Sequence, residues 1–313
     1  MSEPRAPFDL GVVAPETAAF NARLEAMLAP LPRPHEIQIE LTRAARARGE
    51  GLFPLAGPLE SAVWQPIDTG VGGRTARVRL SQPQGAVRGT YLHFHGGGWT
   101  FNAPDYYDVH NARIAEATGA RVVSAEYRLA PENRWPAQAE DAMAAALWAL
   151  ESAPGPLVIG GESAGAHLAL LTALGLRERD LGGRVAGLSL FYGMYDLGMT
   201  PSMRAWGARW LVLSTPIVAW FTANLLGTAP PETPTVSPLY ADLAGLAPVL
   251  LVCGTEDPLI DDTLFLAARL EAARVACERL IVPGGVHAFD QFDLAIARAA
   301  FATQDAFIAR CLG

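Results

Sequence analysis

The chain has 313 residues, a formal net charge of −8 at pH 7, and 24 basic side chains that are all arginine; no lysine occurs. Chemistry that needs lysine is therefore excluded, whether an internal Schiff base, a pyridoxal phosphate enzyme, or a Walker loop whose lysine reaches phosphates. The acidic balance removes nucleic acid as an expected partner, since phosphate binding needs a basic stripe, and 50% hydrophobic with only 18% charged residues excludes a disordered chain.

In chain order, residues 1–55 read as helical. Phe20, Leu24, Met27 and Leu28 share one helical face, Pro32 and Pro34 stop that helix, and a second is expected from about 35 to 48. The opening MSEPRAPFDL has no basic stretch followed by an apolar one, so no secretory leader is read there. Cys253, Cys277 and Cys311 are odd in number and lack metal-ligand spacing. They read as free thiols of a reducing compartment, and a cytoplasmic location is the expectation.

Short β-rich runs follow at 62–67, 75–80 and 89–94, with a Pro/Gly turn inside 81–88. Strands are then expected at 121–127, 156–160, 185–192, 248–253 and 278–282, alternating with helices at 105–118, 137–151, 164–178, 261–276 and 290–312. These strands are apolar throughout, which predicts an α/β fold with a mostly parallel central sheet covered by helices on both faces. From about 196 to 236 the rhythm breaks into a helical insertion. The expected organisation is an N-terminal helical cap segment over 1–55 and a catalytic domain over 56–313 carrying the cap insertion. Within the insertion, 210–227 (WLVLSTPIVAWFTANLLG) is apolar, but Pro216 interrupts it and Ser214, Thr215, Thr222 and Asn224 dilute it. A spanning helix needs roughly 20 strongly apolar residues. No stable membrane insertion is expected, and the segment reads as a buried or cleft-lining helix pair.

Gly161-Glu162-Ser163-Ala164-Gly165 matches G-x-S-x-G between an apolar strand and a helical run, the strand–turn–helix setting of a nucleophile elbow. Small residues two before and two after the serine avoid neighbouring strands. His95-Gly96-Gly97-Gly98-Trp99 ends an earlier strand, and its glycines let backbone N–H groups approach a ligand. Gly97, Gly98 and Ala164 are the predicted oxyanion donors. His95 reads as a residue that orders this loop.

The chain order serine, acid, histidine requires an acid after a late strand and a base after the last one. Asp257, in Gly254-Thr255-Glu256-Asp257-Pro258, is the predicted acid, and His287, in Pro283-Gly284-Gly285-Val286-His287, the predicted base. Asp261 and Asp262 read as capping or solvated residues, His110 as part of a surface-like helix, and His167 as structural. Ser163, His287 and Asp257 would form a nucleophile, base and orienting acid that pass through an acyl-enzyme.

With these motifs, the chain resembles the hormone-sensitive-lipase family of carboxylesterases (bacterial family IV), within the α/β-hydrolase fold. The resemblance covers roughly residues 60–312 and rests on HGGGW at 95–99, YRLAPE at 127–132, PAQAED at 136–141, GESAGAHL at 161–168, SPL at 237–239, GTEDPLIDD and VHAF. It implies a Ser–Asp–His triad, the donors above, no cofactor, and a lid built from the amino-terminal helices plus an insertion; from the residue spacing, no metal site is expected. Two positions depart from the family's usual GDSAGG: Glu162 replaces aspartate and Ala166 replaces glycine. Arg128 of YRLAPE reads as a buried arginine paired with an acid.

Trp99, Phe101, Trp210 and Phe289 are candidates for an apolar substrate pocket, with Glu162 beside the nucleophile; Trp206, Leu211, Leu213, Trp220 and Phe221 could line it or pack the lid. No arginine stands out as the partner of a charged substrate. The expected reaction is hydrolysis of short- to medium-chain carboxylic esters, a small-molecule substrate. A related acyl hydrolase, an amidase or aryl formamidase with the same triad, is the alternative, because a triad does not choose its leaving group. A ligand-binding protein on this fold would lack a triad member. Monomer and homodimer are both compatible with the sequence.

Overall fold

The structure is a computed structural model, and the residues it describes are 11–53, 57–70, 73–153 and 155–313. The leaderless opening read at residues 1–10 lies outside the described residues. Eight strands form one sheet: β1 (Val63–Asp68), β2 (Thr75–Ser81), β3 (Gly89–Phe94), β4 (Ala120–Glu126), β5 (Leu157–Glu162), β6 (Val185–Phe191), β7 (Val249–Glu256) and β8 (Cys277–Val286). Their order is β1-β2-β4-β3-β5-β6-β7-β8. β1 and β2 are antiparallel to their neighbours, and every pairing from β4 to β8 is parallel.

Between these strands lie α3 (Asp108–Thr118), α4 (Ala137–Ser152), α5 (Ala164–Arg177) and α8 (Ile260–Ala272), and α9 (Ala295–Leu312) follows the last strand. α1 (Pro15–Leu28) and α2 (Ile39–Ala47) precede the sheet, and α6 (Pro201–Trp206) and α7 (Thr215–Leu226) lie in the insertion. Two apolar layers flank the sheet. Leu92, Phe94, Val123, Ile159 and Leu251 face the layer of α4, α5 and α8. Tyr91, Val122, Val158, Leu250 and Val252, each one residue out of phase, face the layer of α1, α3 and α9. Successive strand side chains point to opposite faces, so a strand covered on both sides must be apolar at every position. That is the mostly parallel, doubly covered sheet expected from the sequence.

Helix boundaries moved where local backbone chemistry intervenes. The second amino-terminal helix begins at Ile39 rather than 35, because Pro34–Glu36 makes a 3-10 turn and Ile37 is extended. The last helix begins at Ala295 rather than 290, because Ala288 is left-handed, Phe289–Gln291 is a 3-10 turn and Phe292 is extended. The expected helix pair at 210–227 is a single helix, α7. Pro216 sits in its first turn, and ahead of it Val212 has φ 69° between Leu211 and Leu213, which bridge each other. No helix among the described residues is long and apolar enough to cross a membrane.

The amino-terminal helices and the insertion are fastened to the sheet's carboxyl edge. Asn21 donates to the Gly284 carbonyl of β8 (2.8 Å), and Arg209 reaches both Glu25 of α1 (3.1 Å) and Glu256 at the end of β7 (2.7 Å). Arg128 pairs with Asp141 (2.8 Å) and Glu140 (2.6 Å), the ion pair expected of YRLAPE, although its side chain is only part-buried.

Candidate active site

β5 ends at Glu162 and α5 starts at Ala164, leaving Ser163 in the turn with φ 56° and ψ −117°. Such a backbone is costly for a residue with a Cβ and persists only when its surroundings fix it. Here the Ser163 N–H donates to the Phe191 carbonyl of β6 at 2.9 Å. The flanking glycines are sterically required: a Cβ would come within 2.2 Å of the Phe94 carbonyl from Gly161 and 1.8 Å from Gly165. The turn can therefore lie flat against β3 only with hydrogen at both positions.

β8 delivers His287 to this turn and β7 delivers Asp257. Ser163 Oγ lies 2.9 Å from His287 Nε2, and His287 Nδ1 lies 2.8 Å from Asp257 Oδ2. Asp257 is fully buried, and its other oxygen accepts the Leu259 N–H at 2.9 Å. A carboxylate on Nδ1 fixes the tautomer in which Nε2 is free to accept the serine proton. The structure thus brings Ser163, His287 and Asp257 together in the order predicted.

The loop after β3 passes beside the serine, with a Cβ at Gly96 falling 3.6 Å from Ser163 Cβ. Gly97 and Gly98 have φ 121° and 60°, and Gly97 O accepts the N–H groups of Thr100 and Phe101. Among the described residues, no acceptor takes the N–H of Gly97 or Gly98. Ala164 is the first residue of α5, where the N–H has no carbonyl one turn back to bind. Among the described residues, the N–H groups of Gly97, Gly98 and Ala164, on the loop and helix that flank Ser163, therefore have no internal acceptor.

Three further histidines, His95, His167 and His110, sit in enclosed settings. His95 donates through Nδ1 to the Gly96 carbonyl (2.9 Å) and stacks on Tyr127 (4.2 Å); burial pushes its pKa down to about 3. His167 donates to the Val236 carbonyl (2.7 Å) between Trp99 and Trp135, and burial pushes it down to about 4. His110 corrects the expectation of a surface-like helix. It turns inward on α3 to lie 3.8 Å from the Glu162 carboxylate, and burial holds its pKa well below the ordinary value.

A cavity of about 640 Å³ opens over Ser163 and His287, between the 27–53 segment, the insertion and the strand-end loops. Of the side chains expected to line it, Trp99, Trp210, Leu213 and Phe221 do. Phe101 and Phe289 do not: both are fully buried, Phe101 against Trp220 and Phe221, Phe289 against Tyr192. Trp206, Leu211 and Trp220 likewise pack outside the lining. Glu162 borders the cavity, but its carboxylate accepts from His93 Nε2 at 2.9 Å and so is engaged within the fold.

Asp262 is also a correction, being buried rather than solvated. It accepts from the N–H groups of Tyr195 (2.6 Å) and Asp196 (2.9 Å) and from the Thr200 hydroxyl (2.7 Å), fixing the start of the insertion. Sequence reasoning missed Arg46, which lines the cavity from α2 with no carboxylate beside it among the described residues. Its signal was only the pair Arg43 and Arg46, three apart on one helical face. No cluster of three His, Cys, Asp or Glu side chains is arranged to hold a metal among the described residues.

Residues 91–291 match the family model described as alpha/beta hydrolase fold. An acetyl esterase of Salmonella typhi is 32% identical over 236 residues, covering 72% of this chain and 73% of that protein. The hyperthermophilic esterase of the archaeon Pyrobaculum calidifontis superposes with a TM-score of 0.84 at 27% identity, covering 97% of this chain and 100% of that one. A hormone-sensitive lipase from a metagenome library superposes with a TM-score of 0.82 at 27% identity, covering 95% and 98%.

Proposed function

The chain belongs to the alpha/beta hydrolase fold family, in its hormone-sensitive-lipase branch, and is a carboxylic ester hydrolase; from that premise we propose that it cleaves short- to medium-chain esters through an acyl-enzyme on Ser163. The observation that carries this reading is the unbroken hydrogen-bonded line from Ser163 Oγ through His287 to Asp257, 2.9 and 2.8 Å long.

His287 Nε2 takes the proton of Ser163 as Oγ attacks the ester carbonyl. Asp257 holds the imidazole in the required tautomer and stabilises the imidazolium that forms. The carbonyl oxygen becomes an oxyanion received by the N–H groups of Gly97, Gly98 and Ala164, which are fixed before the reaction and need no reorganisation. His287 then returns the proton to the departing alkoxide, releasing the alcohol and leaving the acyl-enzyme. Water, activated by the same imidazole, attacks the acyl carbonyl, and the carboxylic acid leaves as Ser163 regains its proton.

Residues 1–55 and 196–236 act as the cap over a catalytic domain spanning 56–313; from these segments Met27, Leu28, Leu52, Phe53, Trp210 and Phe221 line the cavity with apolar side chains. A cavity of about 640 Å³ suits an acyl group and an alcohol of modest size. The 32% identity to an acetyl esterase supports the short end of that range. The three free thiols support a cytoplasmic location.

Replacing Ser163 with alanine tests the reading. Turnover of p-nitrophenyl butyrate should fall by about 10³-fold or more, and near-wild-type turnover would overturn it. Matching p-nitrophenyl esters and anilides separates ester from amide cleavage.

A further inference from the structure

Helix α2 touches the glycine loop through two arginines on one face. Arg43 donates to the Thr100 carbonyl (2.9 Å) and the Ala130 carbonyl (2.9 Å). Arg46 lies with its guanidinium 4.6 Å over the Phe101 ring and donates through Nη1 to Asn102 Oδ1 at 2.7 Å. Asn102 is left-handed (φ 73°), a conformation asparagine tolerates better than most side chains. Its amide faces back along the loop, and Nδ2 donates to the Gly96 carbonyl at 3.2 Å. The same carbonyl accepts from His95 Nδ1 at 2.9 Å.

A trans peptide is planar, with its C=O and N–H pointing in opposite directions. Two donors that fix the Gly96 oxygen therefore also fix the direction of the Gly97 N–H, on the far side of the same peptide. The charge on Arg46 adds to this, because hydrogen bonds in series polarise one another and a charged donor at one end strengthens the next bond. A line thus runs from a cation on α2, through an asparagine amide, to the peptide that carries an oxyanion donor.

We propose that Arg46 and Asn102 are positioning residues for the oxyanion, acting through the Gly96–Gly97 peptide, so that the seating of helix α2 sets the donor geometry at Ser163. This rests on the reading of Gly97 as an oxyanion donor. Neither side chain takes or gives a proton in the reaction. Both act on the transition state, where the Gly97 N–H is used, and little on the bound ester.

The test uses the full chain with Arg46→Ala, Asn102→Ala and the double variant, p-nitrophenyl acetate as substrate, and an alkyl trifluoromethyl ketone. The ketone forms a hemiketal on a serine nucleophile and places an anionic oxygen among the donors. Asn102→Ala should lower kcat about 10-fold with KM within about two-fold, since one donor is misaimed and not removed. Affinity for the ketone should fall in proportion to kcat/KM. Arg46→Ala should lower kcat about three-fold, and the double variant should match Asn102→Ala, because Arg46 works only through the amide. Arg46→Gln keeps a donor for Asn102 Oδ1 and should restore most of the kcat lost in Arg46→Ala. It serves as the folded comparison if the alanine variant is unstable.

Additive losses, a rise in KM at constant kcat, or unchanged ketone affinity in Asn102→Ala would overturn the proposal while leaving the esterase reading intact. A wild-type chain that forms no hemiketal, or that keeps its turnover as Ser163→Ala, would overturn both.

Discussion

Asp257 turns one carboxylate oxygen to His287 Nδ1 at 2.8 Å and the other to the Leu259 N–H at 2.9 Å, so the acid is held from both sides in a fully buried site. An asparagine at 257 fits the same space, but its NH₂ can satisfy Nδ1 only if that nitrogen gives up its hydrogen. The imidazole then carries its proton on Nε2, facing Ser163, and cannot accept another. Asp257→Asn should therefore lower kcat by about 10⁴-fold with little change in fold. Steady-state kinetics and circular dichroism on the purified variant check this. A loss under ten-fold would mean that His287 is not oriented by this acid.

His167 predicts a pH-dependent contribution to stability. It donates to the Val236 carbonyl where the insertion rejoins the sheet, and burial pushes its pKa down to about 4 from an ordinary value near 6.5. Below the ordinary value the unfolded chain binds a proton that the folded chain refuses, so this stabilising contribution is lost as the pH falls from about 6.5 towards 4. His95, pushed down to about 3, acts in the same direction. Asp290 and Asp262, raised by burial to about 6 and about 7, act in the opposite one. His167→Gln isolates the first effect. It should cost about 1–2 kcal/mol at pH 7.5, and the gap to wild type should narrow by pH 4.5 in urea titrations. A gap that is constant with pH would mean that His167 does not stay neutral in the fold.

How much of this was legible beforehand follows from what each feature depends on. β3 falls at Gly89–Phe94 as expected, and α5 begins at Ala164, because a strand buried on both faces and a helix opened by small residues are local patterns. Ser163, Asp257 and His287 were legible because their order along the chain fixes their places at strand ends. The directions of side chains were not. Phe101 and Phe289 have the composition of pocket residues, yet their loops turn them into the core, and His110 occupies an inward position on a helix with little apolar pattern of its own. Asp262 looks like a helix-capping residue in sequence. Its partners, Tyr195, Asp196 and Thr200, lie more than sixty residues away. Arg46 was invisible for the same reason, since Asn102 meets it only after the amino-terminal segment folds over the sheet.

Asp262 carries the next prediction. It satisfies two backbone N–H groups and one hydroxyl where the chain leaves β6 for the insertion. Asp262→Ala removes all three acceptors in a buried site, and leaving buried donors unpaired costs about 1–3 kcal/mol each. The thermal midpoint should drop clearly, and limited proteolysis should cut first within 195–206. Asp262→Asn keeps an oxygen for the two N–H groups and an NH₂ that the Thr200 hydroxyl can accept, so its loss should be under half as large. Equal losses in both variants would show that the charge, and not the acceptor geometry, holds the insertion.

Phe221 sets the floor of the cavity next to the glycine loop. Its ring lies where a Cβ on Gly98 would fall, 2.4 Å away, and it stands edge-on to Phe101 at 5.7 Å. On the proposed mechanism, an acyl group on Ser163 with its oxygen among the loop's N–H groups extends past this ring. Phe221→Ala frees the volume of about four methylene groups there, and each buried methylene is worth about 0.8 kcal/mol to a chain that can fill the space. The acyl-length optimum should therefore move up by two to four carbons across p-nitrophenyl acetate to dodecanoate. Turnover of the acetate should fall, because a two-carbon acyl group no longer packs against anything. The shift should appear in kcat/KM for the longer esters. An unchanged length profile would place the acyl chain against the 27–53 side of the cavity instead, with the alcohol on the Phe221 side, and the same panel with varied alcohols would then carry the shift.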